Sequence, residues 1–216
     1  MAKADSSKRT YDSTRRQAQA SQTRRRILDA AYKLFVEGGY TGVTMQTIAD
    51  EAGVALPTIY AIFKNKSKVL ITLFNVASAP AGEENVPIVK RARPQAVAQE
   101  RDQRRQLHMF AQVVTDNLTG AAPVSQIMAD AARTERDIQK ILQRMDGHRL
   151  DHMTTATQQI AAHGPFRDGI DFASARDVIW TLTSPEVFLL LTRHRGWSKE
   201  KYATWLADSL ISALLP

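Results

Sequence analysis

His148 and His152 stand four residues apart in HRLDH, so on a helix both imidazoles share one face, a spacing that can hold Zn²⁺ or Ni²⁺. The set stops at two. Asp151 points to a different face from His148, no third ligand is evident, and the glutamate that follows the first histidine of a zinc protease is missing. A solvated polar face is the plainer reading, so no metal is expected, and a metal-binding sensor or hydrolase at His148/His152 is kept as the alternative. Cysteine is absent, which excludes a disulfide framework, a cysteine zinc site and a thiol nucleophile. No catalytic residue and no cofactor motif stand out, so the chain is not expected to be an enzyme.

A different chemistry gathers in TIADEAGVALPTIYAIFKNK, from Thr47 to Lys66. Two short helical patterns meet at a glycine, and the second ends on Lys64, Lys66 and then Lys68. This is the helix-turn-helix pattern. Ala49 is small where two helices must cross closely, and Gly53 can take the positive φ of a tight turn. Ile48, Val54, Ile59 and Phe63 can hold the second helix from behind, which leaves Leu56, Pro57, Thr58, Tyr60 and Ala61 for a DNA major groove. Thr44 caps a helix N-terminus, itself a phosphate site. The Tyr60 hydroxyl can reach a phosphate, and the Thr58 methyl or hydroxyl can touch a base. Lys64 and Lys66 suit phosphates, while Arg24, Arg25 and Arg26 can reach an adjacent backbone or minor groove.

Charge placement agrees with a polyanion partner. The net charge is +7, and residues 1–68 hold twelve Lys/Arg against six Asp/Glu, whereas residues 69–216 hold seventeen against sixteen. A solvated basic tail is the competing explanation. No apolar stretch follows the basic N-terminus as a secretory signal requires. The apolar run 187–191 is far short of the roughly 20 residues that span a bilayer. A cytoplasmic protein with no membrane partner is expected.

The elements that must position these residues read as helices throughout. Residues 1–20 read as a flexible basic arm. A first helix starts after a Ser21 or Thr23 cap and stops at Gly38-Gly39. Short helices follow at about 45–51 and 56–63, and a fourth, capped by Ser67, ends near Pro80. Residues 80–98, with three prolines, read as a link. Helical patterns resume at about 99–118, 124–131, 135–162, 173–194 and 199–214, with Gly120 and Pro123 marking one break. Pro185 either kinks its helix or restarts it behind Ser184. The expected fold is all-α: a helix-turn-helix domain over 21–66, and a helical ligand-binding and dimerisation domain over 67–216. The latter contains a linking helix at 66–79 and dimer helices at about 173–214.

VTMQTIADEAGVALPTIYAIFKNKSKVL, from Val43 to Leu70, resembles the DNA-binding region of the TetR family of bacterial transcriptional regulators. RILDAAYKLFVEGGYTGVT upstream is similar to that family's first helix, and TLTSPEVFLLLTRHRGWSKEKYATWLADSLISALL to its final two helices in one subset. The resemblance implies a regulator, most often a repressor, that a small molecule releases from a pseudo-palindromic double-stranded DNA operator. A non-switching DNA-binding protein is a further alternative. By position, Thr44, Tyr60 and Lys66 look like phosphate contacts, and Gln46, Leu56, Pro57 and Thr58 like base readers. Ala61 and Ile62 depart from the family, where many members put an aromatic or polar residue, so the second helix is poor in hydrogen-bonding side chains.

The resemblance also implies a homodimer built on the C-terminal helices. Val187, Phe188, Leu191, Trp205, Leu206, Leu210 and Leu214 are the expected interface, in a stretch too apolar for a solvated surface. The middle helices are expected to enclose the effector cavity, with Met109, Phe110, Met128, Met145, Met153 and Trp180 as candidate lining. Such residues are as readily plain core. An apolar lining suggests a lipophilic or aromatic effector.

Overall fold

The computed structural model describes residues 5–79, 82–83 and 86–216, with residues 5–17 and Val89 as backbone only. The expected all-α class is borne out: among the described residues there are helices and no strand. The chain divides into two compact units, one running to Leu73 and the other from Phe74 to Pro216.

The first unit opens with α1, Asp5–Gly42. Residues 1–4 of the expected arm lie outside the described residues, and from Asp5 the chain is already helical. Neither Ser21 nor Thr23 starts a helix. No Gly or Pro interrupts the chain between Asp5 and Glu37, and Thr23 turns its hydroxyl back to the Gln19 carbonyl at 2.9 Å, the habit of a threonine inside a helix. The regular part ends where expected, at Gly39, whose φ of 66° and ψ of 171° break it. α2 is Met45–Ala52 and α3 is Leu56–Phe63. α4 is Lys66–Ala77. Asn65, rather than Ser67, caps it, by accepting the Lys68 amide at 2.8 Å. Ile27, Ala31, Phe35, Ile48, Ala49, Ile59, Phe63, Val69 and Leu70 are all fully buried. Burial of each Ile, Leu or Phe contributes about 1.5–3 kcal/mol. Since Val69 and Leu70 belong to this core, the first turns of α4 count with the head, past the expected boundary at residue 66.

The second unit is organised on α6. The stretch expected as a link contains a short 3₁₀ turn at Ile88–Lys90 and α5, Ala92–Gln99. Pro94 sits in α5's first turn, where its missing N–H costs no hydrogen bond. α6, Gln103–Ala131, runs unbroken through Gly120 and Pro123. Gly120 serves a close approach rather than a turn: a Cβ there would lie 2.3 Å from the Ala77 carbonyl oxygen at the end of α4. α7 is Arg136–Ala161 and α8 is Phe172–Leu182. Pro185 restarts the helix: α9, Pro185–Leu189, begins with Pro185 at its first position and Ser184 as cap, its hydroxyl accepting the Val187 amide at 3.2 Å. A π-helical turn, Leu190–His194, and α10, Lys199–Leu214, complete the unit.

α10 packs along α6, with α5, α7 and α9 also against α6. Their shared core holds Leu107, Ala111, Ile160, Ile179, Tyr202, Leu206, Leu210 and Leu214. Tyr202 is fully buried, edge-on to Phe188 at 4.9 Å, and its hydroxyl donates to the Leu182 carbonyl at 3.0 Å. Burial pushes that phenol well above its ordinary pKa.

Candidate functional site

In the first unit, α2 starts from a reciprocal cap. The Thr44 hydroxyl accepts the Thr47 amide at 3.1 Å, and the Thr47 hydroxyl accepts the Thr44 amide at 3.0 Å. Gly53 ends the helix at φ 61°, ψ 44°, and Val54 donates to the Ala49 carbonyl at 2.9 Å, which closes the turn. α3 follows with Ile59 and Phe63 buried on one side. On its other side Pro57, Tyr60, Ala61 and Lys64 are exposed, with Leu56 and Thr58 half-buried; Tyr60 is 47% exposed. Lys64 is the one described non-glycine residue with positive φ, 62°, and its amide donates to the Tyr60 carbonyl at 3.0 Å. Thr44 and Gln46 are exposed on α2. Asp50 takes one N–H of the Gln46 amide at 2.7 Å, which orients that amide along the helix.

Two of the expected cations are placed differently. Lys66 is half-buried, and its ammonium donates at 2.8 Å to both the Tyr40 and Val43 carbonyls. It also lies 4.1 Å from the Tyr40 ring centroid. Lys66 therefore ties the end of α1 to the start of α4 inside the first unit, where its ammonium is taken by two carbonyls. Arg24 lies over the Phe63 ring at 5.0 Å. Arg26 donates to the Ala52 carbonyl and, at 3.1 Å, to that of Gly53, so it satisfies the C-terminal end of α2. Arg25 is exposed and has no such contact. The basic run showed that cations were present, but not which of them a carbonyl pair more than twenty residues away would claim.

In the second unit, α5, α6 and α7 enclose a cavity of about 280 Å³. Val97, Phe110, Val114 and Leu118 line one side, and Met153 and Ala156 the other. Phe110 and Met153 were expected there. Met109, Met128, Met145 and Trp180 are not among the described residues that line this cavity: Met128 is fully buried core, and Trp180 is more than a third exposed. The polar groups of the wall include Arg149 and His152, neither foreseen as lining. The Arg149 guanidinium lies 4.6 Å from the Trp180 ring centroid, and its Nη2 donates to the Trp180 carbonyl and, at 3.4 Å, to the Thr183 hydroxyl. Burial lowers its pKa, while Glu186 and Asp146 act from a distance to raise it. Burial also lowers the pKa of His152, and neighbouring His148 adds to the effect. Among the described residues no group of three His, Asp, Glu or Cys could hold a metal, so the pair at 148 and 152 has no third ligand.

The expected interface residues separate into two sets. Phe188, Leu206, Leu210 and Leu214 are buried in the chain's own core. Val187, Leu191 and Trp205 are only partly covered. Leu190, which follows α9 and was not singled out from the sequence, is 56% exposed.

Residues 27–73 match the family model described as bacterial regulatory proteins, tetR family. The head belongs to the TetR family. Its match spans α1's buried face, the Thr44 cap, the Gly53 turn, α3 and the buried start of α4. A fatty acid metabolism regulator protein of Bacillus subtilis (strain 168) is 50% identical over 48 residues, which is 22% of this chain and 25% of that relative. The chain thus aligns with only about a quarter of that relative. For the chain as a whole, the likeness is one of fold. It superposes on SmeT in a triclosan complex with a TM-score of 0.66 at 21% identity, covering 90% of this chain and 92% of that one. It superposes on FadR from Bacillus subtilis, solved with stearoyl-CoA, with a TM-score of 0.64 at 20% identity, covering 87% and 97%. No described helix is long and apolar enough to cross a membrane.

Proposed function

We propose that this chain is a homodimeric transcriptional regulator, a repressor released from a pseudo-palindromic double-stranded DNA operator when a small molecule enters the cavity between α5, α6 and α7. It acts in the cytoplasm and not as an enzyme. The observation that carries the reading is α3, a short rod fastened from behind by Ile59 and Phe63 and exposing Pro57, Tyr60 and Lys64. Thr58, Leu56, Pro57 and the free oxygen of Gln46 read base edges. Thr44, Tyr60, Lys64, Arg24 and Arg25 engage phosphates. With few hydrogen-bonding groups on α3, sequence preference also draws on DNA shape. A two-fold axis through the partly covered Val187, Leu190, Leu191 and Trp205 sets two heads a whole number of DNA turns apart.

The apolar cavity supports a lipophilic effector, and the proteins of like fold include one bound to triclosan and one to stearoyl-CoA. Coupling runs through α6: Asn117 lines the cavity one turn before Gly120, which touches Ala77 of α4. The ligand shifts the equilibrium only by binding the DNA-incompetent arrangement more tightly.

Selection of bound duplexes from a random pool tests this directly. Enrichment of a two-fold symmetric site is expected, with Tyr60→Phe weakening all sequences alike and Thr58→Ala changing preference at one base step. A pool that shows no enrichment at low salt, or variants that bind the selected site unchanged, removes α3 as the reader.

A further inference from the structure

The cavity of the second unit has an uneven chemistry. Among the described residues its wall contains no aspartate or glutamate. Most of it is aliphatic or aromatic, and the charge it does hold is positive. Arg149, His152, Met153 and Ala156 fall at i, i+3, i+4 and i+7 along α7, so one helix face delivers a guanidinium and an imidazole beside an apolar surface. The guanidinium is held but not neutralised. Its Nη2 is used by the Trp180 carbonyl and the Thr183 hydroxyl, and its flat face by the Trp180 ring. Among the described residues its Nε and Nη1 have no protein acceptor, and no carboxylate comes within 4 Å of it. A partly desolvated cation without a counter-ion is costly, and an anion that brings two oxygens to the free edge relieves that cost with paired hydrogen bonds.

We propose that the effector is an amphipathic carboxylate, its apolar chain lying among Val97, Phe110, Leu118 and Met153 and its carboxylate paired with Arg149. The inference rests on the reading of this cavity as the effector site, and it names the chemical class that site accepts. Trp180 and Thr183 are positioning residues: they hold the guanidinium of a residue that lines the cavity. The same wall disfavours a cationic head, since no acidic side chain among its described residues is there to receive one.

The purified full-length protein, without DNA, is titrated calorimetrically with decanoate, decanol and decylammonium, which share a chain and differ only in the head. Decanoate is expected to bind about tenfold tighter than decanol, the scale of one charge-assisted pair, and decylammonium more weakly than decanol. Arg149→Gln is expected to reduce decanoate to the affinity of decanol and to leave decanol unchanged, which also shows that the cavity is intact. If Arg149→Gln does not fold, the order of the three heads on the wild-type protein decides alone. Decanol binding as tightly as decanoate, none of the three binding, or a preference for decanoate that survives in Arg149→Gln overturns the proposal. Because no duplex is present, these results are independent of the regulator reading, whose failure is seen in the duplex selection instead.

Discussion

The ammonium of Lys66 sits 4.1 Å from the centroid of the Tyr40 ring and donates at 2.8 Å to the carbonyl oxygen of the same residue. One side chain thus holds both the ring and the backbone of the segment that follows the Gly39 break, and its second bond, to the Val43 carbonyl, reaches the residue before the Thr44 cap.

Lys66 and Lys64 are therefore expected to behave differently although both end the same basic stretch. Lys66→Ala leaves two carbonyls without their charged donor and should lower the head's stability by about 1.5–3 kcal/mol. Lys64→Ala should leave stability within about 0.5 kcal/mol and reduce the slope of log affinity against log salt by about one. Denaturant melts and a salt titration of operator binding on both variants check this. Equal loss of stability in the two variants contradicts the clamp.

The uncovered apolar residues after α9 give a second contrast. Leu190 contributes nothing to the protomer's core, whereas Leu206 is fully enclosed by it. Leu190→Asp should yield a folded monomer by sedimentation, with normal helical content. Leu206→Ala should destabilise by about 2–5 kcal/mol through the cavity it leaves. A dimer that persists in Leu190→Asp moves the interface elsewhere.

The helix-turn-helix was legible because its signals are local: the Thr44 cap, the left-handed Gly53 and the Ile59/Phe63 spacing all lie within twenty residues. The roles of Lys66 and Arg26 were not, since each depends on carbonyls more than twenty positions away, and a lysine that clamps looks the same in sequence as one that meets a phosphate. Gly120 and Pro123 suggested a break for the same reason. A glycine that admits a neighbouring backbone has the local signature of one that ends a helix, and only the Ala77 carbonyl distinguishes them. Pro87 and Pro94 concealed α5, and with it one wall of the cavity. Phe110 and Met153 were legible as apolar residues at helical spacing. Arg149 was not, because its significance lies in having no carboxylate within 4 Å among the described residues.

The cavity also carries a pH dependence. Burial, with neighbouring His148 and Arg91, holds His152 below its ordinary 6.5, while Asp151 acts the other way. A histidine kept neutral in the fold is protonated first in the unfolded chain, so that chain binds more protons as pH falls and stability falls with it. The contribution is fully present above the unfolded value near 6.5 and is lost as pH drops through the lower folded value. Urea midpoints at about pH 7.5 and about pH 5.5 should differ less in His152→Gln than in the wild type. An unchanged difference shows that other groups carry the acid sensitivity.

Gly120 gives the test of coupling. A methyl group there meets the Ala77 carbonyl oxygen at 2.3 Å, a backbone atom that no rotamer change can move aside. Gly120→Ala must therefore displace the end of α4 or the turn of α6 that faces it, at a cost of about 1–3 kcal/mol. If the ligand signal passes from Asn117 through this contact, the variant should still bind the effector but change how strongly the effector weakens operator binding. Gly147 offers the control, since a Cβ there meets nothing within 4 Å. Gly147→Ala should gain about 0.5–1 kcal/mol from helix propensity, with coupling intact. The measurement is operator affinity with and without saturating effector in all three proteins. Equal ratios across the set rule out the Ala77–Gly120 contact as the route, because the one substitution that must move α4 against α6 then changes nothing that α4 transmits.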